Sequence, residues 1–420
     1  MPAADHDDRP EGRVAVTAAS VLSAIGEDLN GFTAALLGGH SGVAASPSGS
    51  PAARLDAFAL ADWAERHLAD APVLAGRLRR VAGRASRPAQ TAAALALDAV
   101  RAAGVPPGER TGVIVAGSNL ALEHQASTVL GHRQRPTALR ASYALTHLDV
   151  DIVGAVSELT GARGEGWALG GGSASGTLAV IQAARMLHAG WLDHCLVVAP
   201  MAELSATEIE AFRRAGAMAD GGDGTRPAHE ICRPFDTERC GFVYGQGAAT
   251  MVLERTAVAD RRNAPVLAEI AGYGQCLDAR RGTEPDCGGQ VAAMRAALDC
   301  ARLEPTDVDY INAHGTGSVL GDETEAQSIR TVFGTYTPPV NTTKSLVGHC
   351  LTAAGLIELV ASIAQMRAGA CHPNPNLYAP VDDTVAFVGR TARQHRIRTA
   401  LSNSFAFGGI NATVLVRATR

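Results

Sequence analysis

The stretch 164-GEGWALGGGSASGTLAVIQAARMLHAGWLDHCLVVA-199 decides the fold. Residues 164–169 predict an extended strand that runs into the glycine-rich turn GGGSASG at 170–176. A mostly buried helix over 174–190 follows and ends at a glycine, and residues 194–199 predict a second buried strand. A strand, a turn, a buried helix and another strand are typical of an α/β protein with a buried sheet.

The same alternation of strands and helices runs along the whole chain. Two segments repeat the pattern of a strand, a glycine-rich turn and a buried helix: GGGSASG in one half and GHCLTAAG in the other. The polar stretch RTAVADRRNAP at 255–265 lies between them. We therefore predict an α/β duplication with one half over 12–258, a second half over 259–420, and a disordered tail over 1–11.

Composition narrows the class of protein. With 420 residues, 46% hydrophobic and 19% charged, the chain can bury a large core. A net charge of −5 does not favour nucleic acid, and we find no run of about 18 apolar residues that would predict a membrane span. The start MPAADHDDRPEG lacks the apolar region of a secretory signal, so we expect a cytoplasmic protein.

The eight cysteines are unevenly distributed along the chain, because none occurs before Cys195. No C-x-x-C motif and no zinc-finger spacing of Cys and His is present. We expect reduced thiols, most of them buried, without disulfides or a structural metal.

Ser173 lies in the glycine-rich turn, where backbone N–H groups and the dipole of the following helix favour negative charge. Such a position can hold a nucleophile or stabilise an oxyanion, but Ser173 could also simply cap the helix. The turn does not match the G-x-S-x-G pattern of serine hydrolases.

Three further motifs carry polar groups next to glycines. His314 follows a buried strand in NAHGTGS, Lys344 and His349 lie in TTKSLVGH, and Phe407 lies in NSFAFGGIN. Each residue alone also fits an ordinary role, namely a structural histidine, a solvated lysine and a core phenylalanine. A fifth motif, RPFDTERCGFVYGQG at 233–247, is better explained by structure than by chemistry.

In this order and spacing the motifs resemble the β-ketoacyl-acyl carrier protein synthases, the condensing enzymes of fatty acid and polyketide synthesis. The resemblance runs from about residue 12 to the C-terminus and includes VAVTAASVLSAIGEDLNGFTAALLGGHSGV, RPFDTERCGFVYGQGAATMVLE and NAHGTGSVLGD. It implies a thiolase-like duplicated α-β-α-β-α layered fold, and a homodimer or a heterodimer with a ketosynthase homologue. It also implies an acyl carrier protein as partner, which delivers a phosphopantetheine arm, and no bound cofactor.

The resemblance also assigns roles to single residues. The family uses a cysteine, two histidines and a lysine, and the last three fall on His314, His349 and Lys344. Supporting positions are Glu325 as the acid that helps to hold the lysine, Thr316 and Ser318 as contacts of the phosphopantetheine arm, and Phe407 as the ring that gates the acyl pocket. The backbone N–H groups of residues 173 and 407 match the family's oxyanion hole.

The nucleophilic cysteine of the family falls on Ser173. A hydroxyl is not deprotonated at neutral pH without a strong base, so ordinary condensation is not expected. The segment GGGSASGTLAVIQAA resembles the non-elongating ketosynthases of β-branching cassettes, which decarboxylate malonyl-acyl carrier protein to acetyl-acyl carrier protein. Malonyl decarboxylation is therefore the leading hypothesis, with Ser173, His314, His349 and Lys344 as catalytic residues.

Three alternatives remain at this stage. They are a ketosynthase with an engineered Cys-to-Ser change, an acyltransferase or hydrolase that uses Ser173 as nucleophile, and a non-catalytic chain-length partner of a ketosynthase. Cys240 and Gln246 depart from the family, which usually has acids at these positions.

Overall fold

A computed structural model describes residues 13–46, 49–221 and 226–419. The tail predicted over residues 1–11 lies outside these ranges. The strands are β1 Val14–Ser23, β2 Val43–Ala45, β3 Pro51–Ala53, β4 Thr111–Ala116, β5 Gly166–Leu169, β6 His194–Ala199, β7 Tyr244–Gly245, β8 Gly247–Arg255, β9 Ala268–Leu277, β10 Tyr310–Asn312, β11 Val340–Asn341, β12 Ala370–Cys371, β13 Arg393–Gln394, β14 Thr399–Ala406 and β15 Ile410–Arg417. The helices are α1 Leu29–Leu37, α2 Leu60–His67, α3 Pro72–Ala82, α4 Arg87–Ala103, α5 Leu122–Gln134, α6 Tyr143–Thr146, α7 Val150–Thr160, α8 Ser175–His188, α9 Ala206–Arg214, α10 Thr256–Arg261, α11 Cys287–Ala301, α12 Val319–Phe333, α13 Lys344–Val347 and α14 Ala354–Ala368.

The main sheet has ten strands in the order β11-β10-β14-β15-β9-β1-β8-β6-β4-β5. The two halves show the same pattern of pairing from the centre of the sheet to its edges. In the first half β1-β8 and β8-β6 are antiparallel, and β6-β4 and β4-β5 are parallel. In the second half β9-β15 and β15-β14 are antiparallel, and β14-β10 and β10-β11 are parallel. Antiparallel pairing of Val14–Val16 in β1 with Ala268–Ile270 in β9 joins the halves. The repeated strand order confirms the predicted duplication, while the boundary at 258/259 stays a prediction.

The helices form layers on and between the two halves of the sheet. Helices α4 and α7 pack on the outer side of the first half, and α11 and α12 pack on the outer side of the second. Helices α8 and α14 contact each other and strands of both halves. Their buried residues belong to one large apolar core that also takes in residues of β1, β6, β8 and β15. Thirteen of the fifteen residues of α14 are buried, and they include its polar residues Glu358, Ser362 and Gln365.

The sequence-based statement that no run of about 18 residues is apolar enough for a membrane span is wrong for one stretch. In the part of the chain that the structure describes, the helical stretch Leu351–Ala368 is long and apolar enough to cross a membrane by length and composition, with a mean hydropathy of 1.2 over 18 residues. The same stretch is 83% buried inside the protein. Its place between the two halves of the sheet accounts for its apolar composition, because it meets side chains in every direction.

The eight cysteines are free thiols. Four of them, Cys195, Cys232, Cys350 and Cys371, are buried, whereas Cys240 and Cys300 are exposed. The expectation that most are buried therefore holds for only half of them.

Candidate active site

Ser173 lies in a short 3-10 turn, Gly172–Ala174, directly before α8. The buried Ser175 braces this turn, because its Oγ accepts a hydrogen bond from Gly171 N at 2.9 Å and donates one to Gly172 O at 2.7 Å. Ser173 does not cap the helix, since the N-cap position is Ala174 and makes no side-chain hydrogen bond there. Its Oγ lies instead 2.8 Å from Nε2 of His349, which excludes the simple capping role.

The RPFDTERCGFVYGQG segment holds His349 in place. His349 N donates to Val243 O at 2.7 Å, and Gly245 N donates to His349 O at 3.0 Å. The chain before His349 passes so close to Gly245 that a Cβ at residue 245 would lie 2.3 Å from Val347 O. This segment therefore carries structure, as predicted, and it positions a histidine of the site.

His314 follows β10 in a loop that two buried carboxylates brace. Glu325 accepts hydrogen bonds from His314 N at 2.7 Å and from Gly315 N at 2.8 Å. Asp322 accepts from Thr316 N at 3.0 Å and also from Gly317 N. Burial raises the pKa of Glu325 to about 7 and that of Asp322 to about 6, although the backbone donors oppose the shift in both cases.

The partner of Lys344 differs from the one expected. The Lys344 ammonium forms an ion pair with Glu358 on α14, and both side chains are 1% exposed. It also donates to His314 O at 2.5 Å and lies 3.4 Å from His314 Nδ1. Glu325, which was expected to help hold the lysine, instead fixes the backbone of the His314 loop. An ammonium has three protons, and these three acceptors account for them.

Glu358 was not predicted from the sequence. The signal was present, because the helix AGLIELVASIAQMRA carries a single carboxylate among apolar residues. A buried carboxylate needs a charged or hydrogen-bonding partner, so an acid in such a helix indicates a buried cation nearby. Nothing local to the helix says which cation that is.

Both histidines are neutral near pH 7. Burial lowers the pKa of His314 and of His349 well below the ordinary value, and the charge of Lys344 lowers both further. With Lys344 donating to its Nδ1, His314 carries its proton on Nε2. His349 Nδ1 is buried and has no hydrogen-bond partner among the described residues. Because a buried N–H without an acceptor is rarer than a buried lone pair without a donor, the proton of His349 belongs on Nε2 as well.

These groups meet in one cavity of about 450 Å³. Six of the eight site residues expected from the sequence line it: Ser173, His314, His349, Thr316, Ser318 and Phe407. Lys344 and Glu325 are buried side chains that lie behind His314. The imidazole rings lie 5.6 Å apart and nearly perpendicular, and Phe242 and Phe405 each pack edge-on against one of them. The cavity therefore presents two neutral N–H donors and a hydroxyl within a largely apolar wall that includes four phenylalanine rings.

Comparison with known proteins places the chain in a family. The β-ketoacyl synthase N-terminal domain matches residues 11–259, and the β-ketoacyl synthase C-terminal domain matches residues 267–378. The chain belongs to the β-ketoacyl synthase family. Within this family, a Bacillus subtilis (strain 168) protein named polyketide biosynthesis malonyl-ACP decarboxylase PksF is 37% identical over 308 residues, which are 73% of this chain and 74% of that protein.

Solved ketosynthases share the fold over nearly the whole chain. The ishigamide ketosynthase/chain length factor is 27% identical with a TM-score of 0.85, and the alignment covers 97% of this chain and 100% of that one. A ketosynthase described in complex with a type II polyketide acyl carrier protein, AntDE:AntF, is 26% identical with a TM-score of 0.82 and the same coverage. The thiolase-like fold expected from the motifs is thus confirmed.

The two residues that depart from the family occupy different places. Gln246 is buried, accepts a hydrogen bond from Leu55 N at 2.8 Å through its Oε1, and contributes to structure. Cys240 is exposed and lines the cavity. Among the described residues no group of three His, Cys, Asp or Glu side chains is arranged to hold a metal ion.

Proposed function

We propose that this chain is a ketosynthase-like decarboxylase that converts malonyl-acyl carrier protein to acetyl-acyl carrier protein for polyketide β-branching. The observation that carries the proposal is a serine where the family has its nucleophilic cysteine, in a cavity lined by both histidines, with Lys344 buried behind His314. The name of the Bacillus subtilis relative supports the same reaction.

Loss of carbon dioxide from a malonyl thioester needs no nucleophile. The bond between C2 and the carboxylate breaks, and its electron pair moves toward the thioester oxygen as an enolate. Nε2–H groups of His314 and His349, which both line the cavity, can donate to that oxygen. One such donor is worth about 3–4 kcal/mol, or roughly 10²–10³ in rate. Lys344 acts through His314. Because the ammonium donates a hydrogen bond to Nδ1, the imidazole keeps its own proton on Nε2, which faces the cavity.

A serine-dependent acyltransferase is the second candidate, and the contact of 2.8 Å between Ser173 Oγ and His349 Nε2 favours it. Two features weigh against it. Burial and the nearby Lys344 lower the pKa of His349, which makes this imidazole a weak base. Its Nδ1 also has no partner among the described residues, whereas an activated serine normally has a third group that orients the base.

A non-catalytic chain-length partner is the third candidate. It is favoured by the structural similarity to the ishigamide ketosynthase/chain length factor. A purely structural partner has no chemical need for the buried pair Lys344–Glu358, which costs desolvation energy for two charges. The pair is explained if it sets the protonation of His314.

The proposed substrate is carried by an acyl carrier protein. Thr316 and Ser318 line the cavity and lie 3.1 Å apart through their hydroxyl oxygens, and we assign them to the phosphopantetheine arm. A complex of a related ketosynthase with its carrier protein supports this partner class. Strand β5 ends the main sheet and leaves an edge that can pair with a second subunit, a homodimer or a ketosynthase homologue.

The deciding experiment follows the intact mass of the carrier protein during incubation with malonyl-carrier protein. Loss of carbon dioxide to give acetyl-carrier protein supports the proposal. A stable acyl group on Ser173 would support the acyltransferase, extension of an acyl primer a condensing enzyme, and an unchanged carrier the structural partner.

Variants test the roles of the three side chains. His314→Ala and His349→Ala should each lower carbon dioxide release by about 10²–10³. Ser173→Ala should lower it by less than about tenfold, since the bond-breaking step does not use a nucleophile. His132→Ala, at an exposed position, is the matched control and should act as wild type. If Ser173→Ala were as inactive as the histidine variants, the claim that no nucleophile is needed would be wrong.

A further inference from the structure

Among the residues that the structure describes, none accepts the hydroxyl proton of Ser173. His349 carries its proton on Nε2, so Ser173 Oγ is the acceptor of the 2.8 Å hydrogen bond. Ser173 makes no other side-chain hydrogen bond among the described residues, and the side chain lines the cavity. Its own O–H is therefore free to donate to a group that enters the cavity.

A malonyl thioester that binds His349 would bring its reacting carbon close to this hydroxyl. A thioester oxygen that binds His349 Nε2–H replaces Ser173 Oγ as the acceptor of that proton. C2 is only two covalent bonds away from that oxygen. Because Oγ and the thioester oxygen then flank the same nitrogen atom, C2 can come within contact distance of Oγ.

We propose that Ser173 is the general acid that protonates C2 of the enolate. This role rests on the proposed decarboxylation and adds the step that completes it. The bond between C2 and the carboxylate breaks and carbon dioxide leaves. The enolate pair then forms a C2–H bond with the Ser173 proton, and the electrons of the O–H bond stay on Oγ. Water returns a proton to Oγ, and the hydroxide that remains adds to carbon dioxide to give bicarbonate.

The choice of serine over cysteine follows from the same argument. A cysteine at a helix N-terminus beside histidines loses its proton near neutral pH, so it attacks thioesters and has no proton to give. A serine hydroxyl keeps its proton under those conditions, and the enolate of a thioester is basic enough to remove it. In condensation, C2 would form a bond to the carbon of an acyl group. With serine at this position condensation is prevented, and C2 instead forms a bond to the proton that the serine supplies.

Stereochemistry at C2 tests the proposal independently of turnover. Malonyl-carrier protein with deuterium at one of the two C2 positions is decarboxylated in tritiated water, and the configuration of the chiral methyl group is measured. The wild-type protein should give one configuration in large excess. Ser173→Ala should still release carbon dioxide, at a rate lowered by less than about tenfold, but give the two configurations in nearly equal amounts.

Two further variants complete the test. Ser173→Thr keeps a hydroxyl on Cβ and should retain the wild-type excess. Ser118→Ala removes another hydroxyl that lines the same cavity and should also retain it. The proposal is overturned if Ser173→Ala keeps the wild-type configuration, or if the wild-type product is racemic. Absence of carbon dioxide release from the wild-type protein would instead overturn the proposed function itself.

Discussion

Replacing Glu358 with glutamine tests whether the buried ion pair sets the protonation of His314. Lys344 and Glu358 are each 1% exposed, so Glu358→Gln leaves an ammonium in the core without a counter-charge. Breaking a buried pair in this way costs about 3–5 kcal/mol of unfolding free energy. Lys344 can avoid this cost only by losing its proton, and the proton on His314 is then free to move from Nε2 to Nδ1.

The chemical consequence is loss of one donor to the enolate. We expect Glu358→Gln to lower carbon dioxide release by about 10²–10³ and to lower the unfolding free energy, measured in urea, by about 3–5 kcal/mol. The double variant Lys344→Met/Glu358→Leu removes both charges with apolar side chains of similar size. Such replacements are often neutral or stabilising, so the double variant should regain most of the stability and none of the activity.

The control is Glu65→Gln on α2, which neutralises an exposed carboxylate paired with the exposed Arg79. A surface pair is worth about 0–1 kcal/mol, so this variant should retain both stability and carbon dioxide release. A double variant Lys344→Met/Glu358→Leu that releases carbon dioxide within about tenfold of the wild-type rate would refute the role of the pair in setting the His314 proton.

Three other predictions concern stability and geometry. Burial lowers the pKa of His372 to about 4, whereas an unfolded histidine takes up a proton below about pH 6.5, so stability is lost as pH falls from there. His372→Gln should therefore flatten the decrease in urea unfolding free energy between pH 7 and pH 5 by about 2 kcal/mol, and an unchanged slope would contradict this. Gly348 has φ +66°, and a Cβ added there would lie 2.9 Å from Gly245 Cα. Gly348→Ala should therefore lower the Tm, displace the neighbouring His349 and reduce carbon dioxide release. A wild-type Tm and a wild-type rate would contradict this prediction. Leu356→Ala in α14 should cost about 2–5 kcal/mol in urea unfolding, and a cost below about 1 kcal/mol would show that the core closes the cavity.

The elements that local pattern specifies were predicted well. The strand and helix expected around the glycine-rich turn appear as β5 and α8, and the strand predicted over 194–199 appears as β6. Apolar runs bounded by glycine mark such elements because burial, spacing and backbone freedom act within a few residues. Local pattern alone also identified the turns that carry Ser173, His314 and His349.

Two contacts could not be predicted from the sequence. From the sequence, Ser173 could serve either as a helix cap or as a reactive group. Only its contact with His349, 176 positions away, excluded the capping role. Lys344 was expected to rely on Glu325, but the residue that pairs with it is Glu358. Glu325 was expected because of the family resemblance, and nothing in the sequence pointed to Glu358, which lies 14 positions after the lysine, as its partner.

The sequence by itself determined the α/β class, the duplication and the identity of the residues that can do chemistry, including the absence of the family's cysteine. Tertiary structure decided which carboxylate meets the lysine, which nitrogen of each histidine faces the cavity, and where the hydroxyl of Ser173 points. The physical reason is one of range. Hydrophobic periodicity and turn geometry act between near neighbours, whereas a buried proton is placed by donors and acceptors that different helices and strands bring together.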